Sequence, residues 1–408
     1  MKLIFRYTIL FIVFLIFILP ANSATYKDTS PVEYMSIRQM AMGGAGVAII
    51  NGAETTYLNP AAITKTGTHF NFPLIPVLLT QGTIYLGDNS ISLIKEYADA
   101  MSKSEDDKAK STEMFTKLVP KTLSLGGSFP YGYVGESFLQ PFGSHMAIAG
   151  YTQYWAKFSL LNPVIPRIEY KFRVDTVMGL TFARQFDNDN NLIKKILNKS
   201  VGYTIKHINR ISAYDIDNAN ENPIITITDL INETSSVEYY DANGWGIDLG
   251  FLGEVETILG KGNVGLSFYN IGARLNGHTF IVTSENAGVD GDVNIQVPTT
   301  AKLGVALENN FLSTLTNDFF HYPTLLALDY DIVYPSRSYV KRMHLGLEQP
   351  LSDWLFWQMG LNQGYGTMGL QCRWSAYTLG LAYFTEELGR EVGQNPNTIW
   401  LLNAGLLF

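Results

Sequence analysis

The sequence predicts an all-β membrane protein: a 14-stranded antiparallel outer-membrane β-barrel. Three observations lead to this fold class: an export signal, repeated strands with one apolar face, and a final strand that alternates apolar residues up to its end. The composition agrees, because only 16% of the residues are charged, 13% are aromatic and 36 are glycine. Such a mixture suits a sheet with a lipid-facing side and a crowded inner side.

Residues 1–23 have the residue order of a secretory signal peptide. Lys2 and Arg6 precede the apolar run 10–19, and small residues follow it. We expect cleavage near the end of this range, and no later run is apolar for the roughly 18 residues that a spanning helix needs. The single cysteine, Cys372, cannot form an intramolecular disulfide, so we expect the exported chain to be held together by backbone ladders.

Segments with one apolar face recur along the chain. From Tyr170 to Phe182 most even positions are large and apolar and most odd positions are polar, whereas from Trp245 to Phe251 large apolar residues alternate with glycine and aspartate. A soluble β-sandwich, the alternative fold, normally exposes its polar face. Here that face is too rich in glycine for a solvated exterior, so the apolar face is predicted to meet lipid. About fourteen segments qualify as strands, at residues 67–77, 121–131, 143–155, 169–185, 198–213, 243–253, 262–272, 300–308, 322–332, 341–349, 353–362, 366–374, 376–385 and 398–408.

The polar face of these strands is predicted to line the lumen. Its candidate residues are Lys171, Arg173, Asp175, Asp248, Asp329, Asp331, His344, Glu348 and Arg373. For the basic residues a salt-bridge network is favoured over a site that binds a carboxylate ligand. We do not expect an enzyme, a metal site or a cofactor, because no nucleophile motif or metal-ligand spacing accompanies these residues. The formal net charge of −8 gives no reason to expect a nucleic-acid partner.

The last strand, 398–408, carries the barrel-closing signal. Trp400, Leu402, Leu406 and Phe408 are predicted to point outward. We expect this strand to pair with the first, 67–77, because an open sheet edge cannot be left in lipid. The expected partners are outer-membrane lipid and, through this strand, the barrel-assembly machinery, and the barrel is expected to be a monomer.

Most long connections fall on the outer side of the membrane if both chain ends face the periplasm. The first outer loop contains residues 91–118, in which apolar residues recur at helical spacing. Two interpretations stay open: a loop packed on the barrel rim, or a surface that collects a ligand. The residues concerned are Leu93, Ile94, Tyr97, Met101 and Phe115.

The segment 24–66 precedes the first predicted strand. It carries two clusters of motif residues, namely Arg38, Met42, Gly43, Gly44 and Gly46, followed by Asn59, Pro60 and Ala61. The glycines are not a phosphate loop, because no Gly-Lys-Ser/Thr follows them. They are better suited to close backbone approach inside a narrow lumen.

These clusters closely resemble the N-terminal hatch of the FadL/TodX family of outer-membrane hydrophobic-compound transporters. The strands resemble the PorV-like branch of the same superfamily, in Trp245-Gly-Ile-Asp-Leu-Gly250, Val264-Gly-Leu-Ser-Phe-Tyr-Asn-Ile-Gly272 and His344-Leu-Gly-Leu-Glu348. The resemblance implies a fourteen-stranded barrel, residues 67–408, plugged by the hatch. It also implies a channel for long-chain fatty acids or other hydrophobic small molecules, which enter from the outer loops. PorV-type members instead bind a secreted or periplasmic protein, and this attachment function is the alternative.

Overall fold

The computed structural model describes most of the chain after residue 32. The described ranges are 33–34, 36–50, 54–71, 82–87, 122–139, 142–161, 167–186, 196–213, 224–226, 236–258, 260–282, 287–316, 320–333, 338–374, 377–387, 391–394 and 396–406. The predicted signal peptide, the predicted helices at 91–118 and Phe408 lie outside these ranges. Among the described helices, none has the length and apolar character needed to cross a membrane.

The described residues form seventeen strands. In chain order they are β1 (His69–Asn71), β2 (Gly82–Gly87), β3 (Thr122–Glu136), β4 (His145–Leu161), β5 (Arg167–Phe186), β6 (Ile196–Ala213), β7 (Ile224–Thr226), β8 (Val237–Thr257), β9 (Gly260–Val282), β10 (Ala287–Gln296), β11 (Thr300–Asn309), β12 (Thr324–Val333), β13 (Met343–Pro350), β14 (Leu355–Asn362), β15 (Tyr365–Trp374), β16 (Tyr377–Glu387) and β17 (Pro396–Leu406).

Fourteen of these strands close into an antiparallel ring. From β2 each strand pairs with the next through β6, β8 and β9, and then from β11 to β17, which pairs back with β2. The other three strands, β1, β7 and β10, pair with the ends of β3, β5 and β9. The predicted fold class, an all-β antiparallel barrel of about fourteen strands, is confirmed.

The closing pair differs from the prediction. The last strand pairs with β2, with Trp400 opposite Leu86 and Ala404 opposite Gly82, and not with residues 67–77. Part of that predicted strand, β1, pairs with the end of β3 instead. The sequence offers a reason, since Pro73 and Pro76 cannot donate ladder hydrogen bonds and so disfavour one continuous strand across 67–77.

The burial pattern of the barrel is the reverse of that of a soluble protein. On β13, Met343 and Leu345 are exposed. His344, which lies between them, and Glu348, farther along the strand, are buried. The same alternation runs around the ring. Exposed apolar residues include Met178, Leu180, Ile205, Ile247, Leu303, Leu328, Met359, Met368, Leu370, Leu379, Leu381 and Leu402. Apolar exposure on this scale marks a surface that meets something other than water.

An N-terminal segment, described at residues 33–34, 36–50 and 54–66, lies against the inner face of the ring. Its helix α1 (Ile37–Ala41) contacts strands β14 to β17, and its 3₁₀ helix (Pro60–Lys65) contacts β4, β5, β6 and β8. The Ser36 hydroxyl accepts a hydrogen bond from the Gln39 N–H and caps α1. Gly43 and Gly44, at φ +69° and +88°, turn the chain sharply after it.

The second half of this segment is also built by local chemistry. A short helix α2 (Thr55–Leu58) ends at Asn59, whose backbone is extended as expected before Pro60. The Asn59 side chain caps the 3₁₀ helix, and Pro60 occupies its first turn, where a missing N–H is harmless.

Candidate functional site: a buried segment clamped in the barrel lumen

Asn59 joins the two halves of the N-terminal segment to the wall. Its Nδ2 donates to the Val47 and Phe251 carbonyl oxygens, both at 2.9 Å, and its Oδ1 accepts from the Ala61 N–H at 3.1 Å. The residue is fully buried. Its amide therefore has three partners, and two of them lie in different parts of the chain from Asn59 itself.

A buried ion pair anchors α1. The guanidinium of Arg38 donates twice to the Glu348 carboxylate on β13, at 2.7 Å from Nε and 2.6 Å from the terminal nitrogen. Gln358 Nε2 donates to the same carboxylate at 2.9 Å, and Arg373 lies 4.0 Å from it. Bidentate geometry of this kind adds directional specificity to the charge interaction.

A second buried pair has the opposite polarity. Glu33, in the segment, lies 2.9 Å from the ammonium of Lys302 on β11. Lys302 is also 3.7 Å from Asp331, and Asp331 is 3.3 Å from Nε2 of His344. The segment thus presents the cation Arg38 and the anion Glu33 at these two sites to wall residues of matching charge, and Lys65 adds a third pair with Glu254 on β8.

His344 connects this group of charges to the glycine turn of the segment. Its Nδ1 lies 3.0 Å from the Gly43 carbonyl oxygen and 2.9 Å from Oδ1 of Asn362. Asn362 is oriented by its own Nδ2, which donates to the Thr385 carbonyl at 2.8 Å. Both neighbours of Nδ1 are acceptors, so this nitrogen bears the hydrogen.

Asp329 binds the turn backbone directly. Its Oδ2 accepts from two successive backbone N–H groups, those of Gly46 at 2.7 Å and Val47 at 2.9 Å. The carboxylate therefore satisfies two donors that no helix or strand would otherwise satisfy.

Lumen-facing glycines form a track beneath the segment. A Cβ on Gly202 or Gly250 would lie 2.5 Å or less from Pro60 or Asn59, one on Gly265 would lie 2.4 Å from the Val47 carbonyl, and one on Gly346 would lie 2.6 Å from the Met42 carbonyl. Several are directly opposite one another on paired strands: Gly202 and Gly250, Gly265 and Gly304, Gly346 and Gly360. The wall is thus shaped to the backbone of the segment.

The remaining predicted lumen residues lie on the β5–β8 side of the ring. Asp175 pairs with Arg210 at 2.6 Å and with Arg173 at 3.2 Å, and Asp248 pairs with Lys206 at 2.8 Å. Lys171 lies over the Trp155 ring, 5.8 Å from its centroid. On the other side of the ring, Arg373 of β15 stacks on Phe356 at 4.5 Å.

Several contact residues were missed from the sequence: Glu33, Tyr57, Lys206, Arg210 and Lys302. A signal existed for two of them, since Lys206 and Arg210 lie four positions apart on one face of a predicted strand. At the C-terminus, Trp400 and Leu402 are exposed and Asn403 is buried. Leu406 ends β17, and the predicted ligand-collecting residues Leu93, Ile94, Tyr97, Met101 and Phe115 lie outside the described ranges.

An apolar cluster fills the lumen beside α2. It contains Tyr34 of the segment and wall residues Tyr151, Val177, Ile208, Tyr240, Ala242, Ala273, Leu275, Val293, Ile295 and Val297. The rings of Tyr34, Tyr57 and Tyr151 pack with centroids 4.9 to 5.2 Å apart. The Tyr57 hydroxyl lies 2.9 Å from the Tyr131 carbonyl oxygen and 2.5 Å from that of Gly150, and its single hydrogen is shared between these two wall acceptors.

A small cavity lies between this cluster and the Lys206–Asp248 pair. Its volume is about 20 Å³, and Tyr57, Tyr151, Val177 and Thr56 are among the residues that line it. The Thr56 hydroxyl has no hydrogen-bond partner among the described residues. A cavity of this size has room for about one water molecule, which would satisfy that hydroxyl.

Several solved structures match over most of the chain at low sequence identity. The chain resembles two toluene transporters. The Ralstonia pickettii transporter TbuX shares 12% identity over 91% of this chain and 97% of its own, with a TM-score of 0.43. The Pseudomonas putida transporter TodX shares 12% over 92% and 97%, with a TM-score of 0.45. The translocator domain of NalP from Neisseria meningitidis matches at 11% over 83% and 88%, with a TM-score of 0.32. No family model and no curated protein matches the chain.

Proposed function

We propose that the protein is an exported outer-membrane barrel that passes a hydrophobic small molecule and is closed by residues 24–66 as its hatch. The observation that carries this proposal is the apolar lumen cluster around Tyr34, Tyr151 and Ile208. Lumens of water-filled barrels are polar. A large apolar patch inside the ring, next to a segment of the same chain, is suited to a hydrophobic ligand.

The charges around the cluster favour an uncharged ligand within this class. Near the cavity, Lys206 is paired with Asp248 and Lys302 with Glu33, and Arg210 is paired with Asp175. A fatty-acid carboxylate would have to displace one of these carboxylates, whereas a hydrocarbon would need only apolar contacts. Fatty acids remain the ligand implied by the sequence resemblance, so both are tested.

The test is uptake of radiolabelled toluene and of oleate by cells that produce the protein. Val177→Trp places bulk in the apolar cluster, while Leu370→Trp adds the same bulk to the exposed outer face. We expect uptake of toluene to rise above that of cells without the protein, to fall in Val177→Trp and to persist in Leu370→Trp. Equal uptake with and without the protein, for both compounds, would contradict the proposal.

One observation favours a second function, attachment of a protein partner as in the PorV-like branch. The described lumen cavity beside Tyr57 holds only about 20 Å³, which is too small for even a small hydrocarbon. A closed barrel of this kind is also suited to act as an attachment platform for a protein partner. Affinity purification after in-cell cross-linking would then recover one secreted or periplasmic protein in stoichiometric amount, and the uptake measurements would show no activity.

A further inference from the structure

The outward face of four neighbouring strands carries a row of asparagines, the amide row. Each residue of the row stands directly opposite the next across the strand pairs, and the members are Asn209 on β6, Asn243 on β8, Asn276 on β9 and Asn294 on β10. Their sequence neighbours Ala242 and Leu275 point to the other face and are buried in the apolar lumen cluster. The amide row therefore lies on the outside of the barrel, behind the wall of that cluster.

Polar side chains continue on both sides of the amide row. Asp241, His278 and Asp292 stand opposite one another in the next row, and Nδ1 of His278 lies 2.9 Å from the Asp292 carboxylate. The row on the other side consists of His207, Trp245, Arg274 and Gln296. Four strands spaced by about 4.8 Å and three rows spaced by about 6.8 Å give a patch about 14 Å on each side. We call these three rows the polar patch.

The amides of the patch are exposed and held in place. Asn243, Asn276 and Asn294 are all exposed to solvent. Nδ2 of Asn294 donates to Oδ1 of Asn276 at 2.7 Å, and Nδ2 of Asn209 donates to Oδ1 of Asp241 at 3.3 Å. A side-chain amide can make up to four hydrogen bonds, so each of these keeps donors and acceptors for a ligand.

The residue types along this outward face place the polar patch beyond the lipid. Ile205 and Ile247 are exposed aliphatic residues, and Trp245, which follows them along the face, is 64% exposed and meets the His207 ring edge-on at 5.0 Å. Exposed aromatic rings of this kind mark the level where hydrocarbon ends. Amides without partners are costly to bury in lipid, so the amide row lies in water. Because β8 begins at Val237, about 27 Å of strand lies beyond Trp245.

The charge of the polar patch selects against anionic ligands and against protein. Its three rows contain the two carboxylates of Asp241 and Asp292, a single arginine, Arg274, and no lysine. A phosphate or carboxylate group therefore finds little attraction here. A protein interface has an apolar anchor at its centre, whereas the centre of this patch consists of amides.

A chain of uncharged sugars matches the patch. Amide and carboxylate groups pair with the neighbouring hydroxyls of a sugar ring, and the indole of Trp245 offers a flat apolar surface to the C–H side of the ring. The repeat of an extended polysaccharide is close to the spacing of adjacent strands, so successive sugar units can meet successive asparagines. Each further unit adds contacts without a new loss of translational freedom.

We propose that the polar patch binds an uncharged polysaccharide that reaches the protein from outside the cell. The proposal rests on the outer-membrane location contained in the proposed function, with the chain ends facing the periplasm, and it does not depend on transport. The carboxylates of Asp241 and Asp292 disfavour the phosphorylated headgroups of the outer leaflet, so the source of the sugar is a soluble chain.

The experiment titrates the full chain with sugars by isothermal titration calorimetry in lauryldimethylamine oxide, a detergent without a sugar headgroup. The probes are cellohexaose and maltohexaose, which are uncharged, and hexagalacturonate, an anionic chain of the same length. We expect an uncharged hexaose to bind, its disaccharide to bind more than tenfold more weakly, and hexagalacturonate to bind at least tenfold more weakly.

Two variants locate the binding. Asn276→Ala removes an amide from the middle of the row and should weaken binding of the hexaose about tenfold. Asn310→Ala is the matched control, because Asn310 is also exposed and its side chain does not cap the short helix Phe311–Leu315 that follows it. This control should leave the affinity unchanged. Both asparagines are exposed, so neither variant should change the unfolding temperature.

The outcomes separate the site from the proposed function. Binding of neither uncharged hexaose, tighter binding of hexagalacturonate, or an equal loss in Asn276→Ala and Asn310→Ala would overturn the site. Intact cells that produce the protein should retain the fluorescently labelled hexaose, and binding in detergent without retention by cells would overturn its position on the outside. Hexaose binding without any toluene uptake would support the site and contradict the transport function alone.

Discussion

Removing the carboxylate of Glu348 should loosen the N-terminal segment from the barrel. In Glu348→Gln the Arg38 guanidinium keeps its burial, but the amide oxygen can accept only one of the two hydrogen bonds, of 2.6 and 2.7 Å, and the neutralising negative charge is lost. Both side chains are at most 9% exposed, so water does not replace the lost partner. Breaking one side of a buried pair typically costs about 3–5 kcal/mol, because the remaining charge is left uncompensated.

A loss of about 3–5 kcal/mol is large compared with the free energy that holds one segment docked. At about 1.4 kcal/mol per factor of ten, even 3 kcal/mol raises the population of undocked segment about a hundredfold. The assay is passive leakage of a small hydrophilic dye from proteoliposomes, together with the unfolding temperature of the barrel. We expect leakage to rise clearly while the ring itself, held by its strand ladders, unfolds at a similar temperature.

Two variants make the reasoning refutable. The Arg38→Glu, Glu348→Arg double variant exchanges the charges and should recover part of the closure lost in either single variant. Glu254→Gln removes a carboxylate from the pair with Lys65 at the barrel end, where Glu254 is 36% exposed, and a pair of this kind contributes at most about 1 kcal/mol. Leakage in Glu348→Gln no greater than in Glu254→Gln would show that the buried pair does not hold the segment closed.

Three further predictions concern the same segment. Gly250→Val should raise dye leakage through the barrel, since its Cβ would lie 2.3 Å from Oδ1 of Asn59. Gly366→Val, whose Cβ would have nothing within 4 Å, should leave leakage unchanged. Equal leakage in the two variants would contradict the conclusion that the glycine track fits the segment. Asn59→Ala removes the donor to two carbonyls and should destabilise docking by about 1–3 kcal/mol, seen as faster proteolysis of the segment. Tyr57→Phe removes the hydroxyl whose hydrogen is shared between two wall carbonyls and should destabilise the fold by about 1 kcal/mol, seen as a lower unfolding temperature, without altering the apolar cluster; an unchanged temperature would count against this contact with the wall.

Much of the barrel was predictable because its signal is local. The alternation seen from Trp245 to Phe251 depends only on residues two apart, and it correctly indicated β8 and which face is apolar. The predicted strand at 366–374 likewise corresponds to β15, Tyr365–Trp374. Boundaries were less accurate, since β8 and β9 extend well beyond the predicted segments.

The closing pair shows where local patterns fail. An apolar alternating segment at 67–77 and the short segment Gly82–Gly87 both precede the first long strand, and their patterns do not say which one meets β17. Register depends on the ring as a whole, because all fourteen pairs must close together. Only the assembled barrel distinguishes the two.

The sequence by itself determined the class of fold, the apolar outer face and the presence of an N-terminal segment with its own turn signals at Gly43 and Asn59. The tertiary structure decided what that segment touches. Arg38 and Glu348 are 310 residues apart, and no local pattern pairs them. Their meeting inside the lumen is set by the curvature of the closed sheet, which brings distant strands around one short stretch of chain.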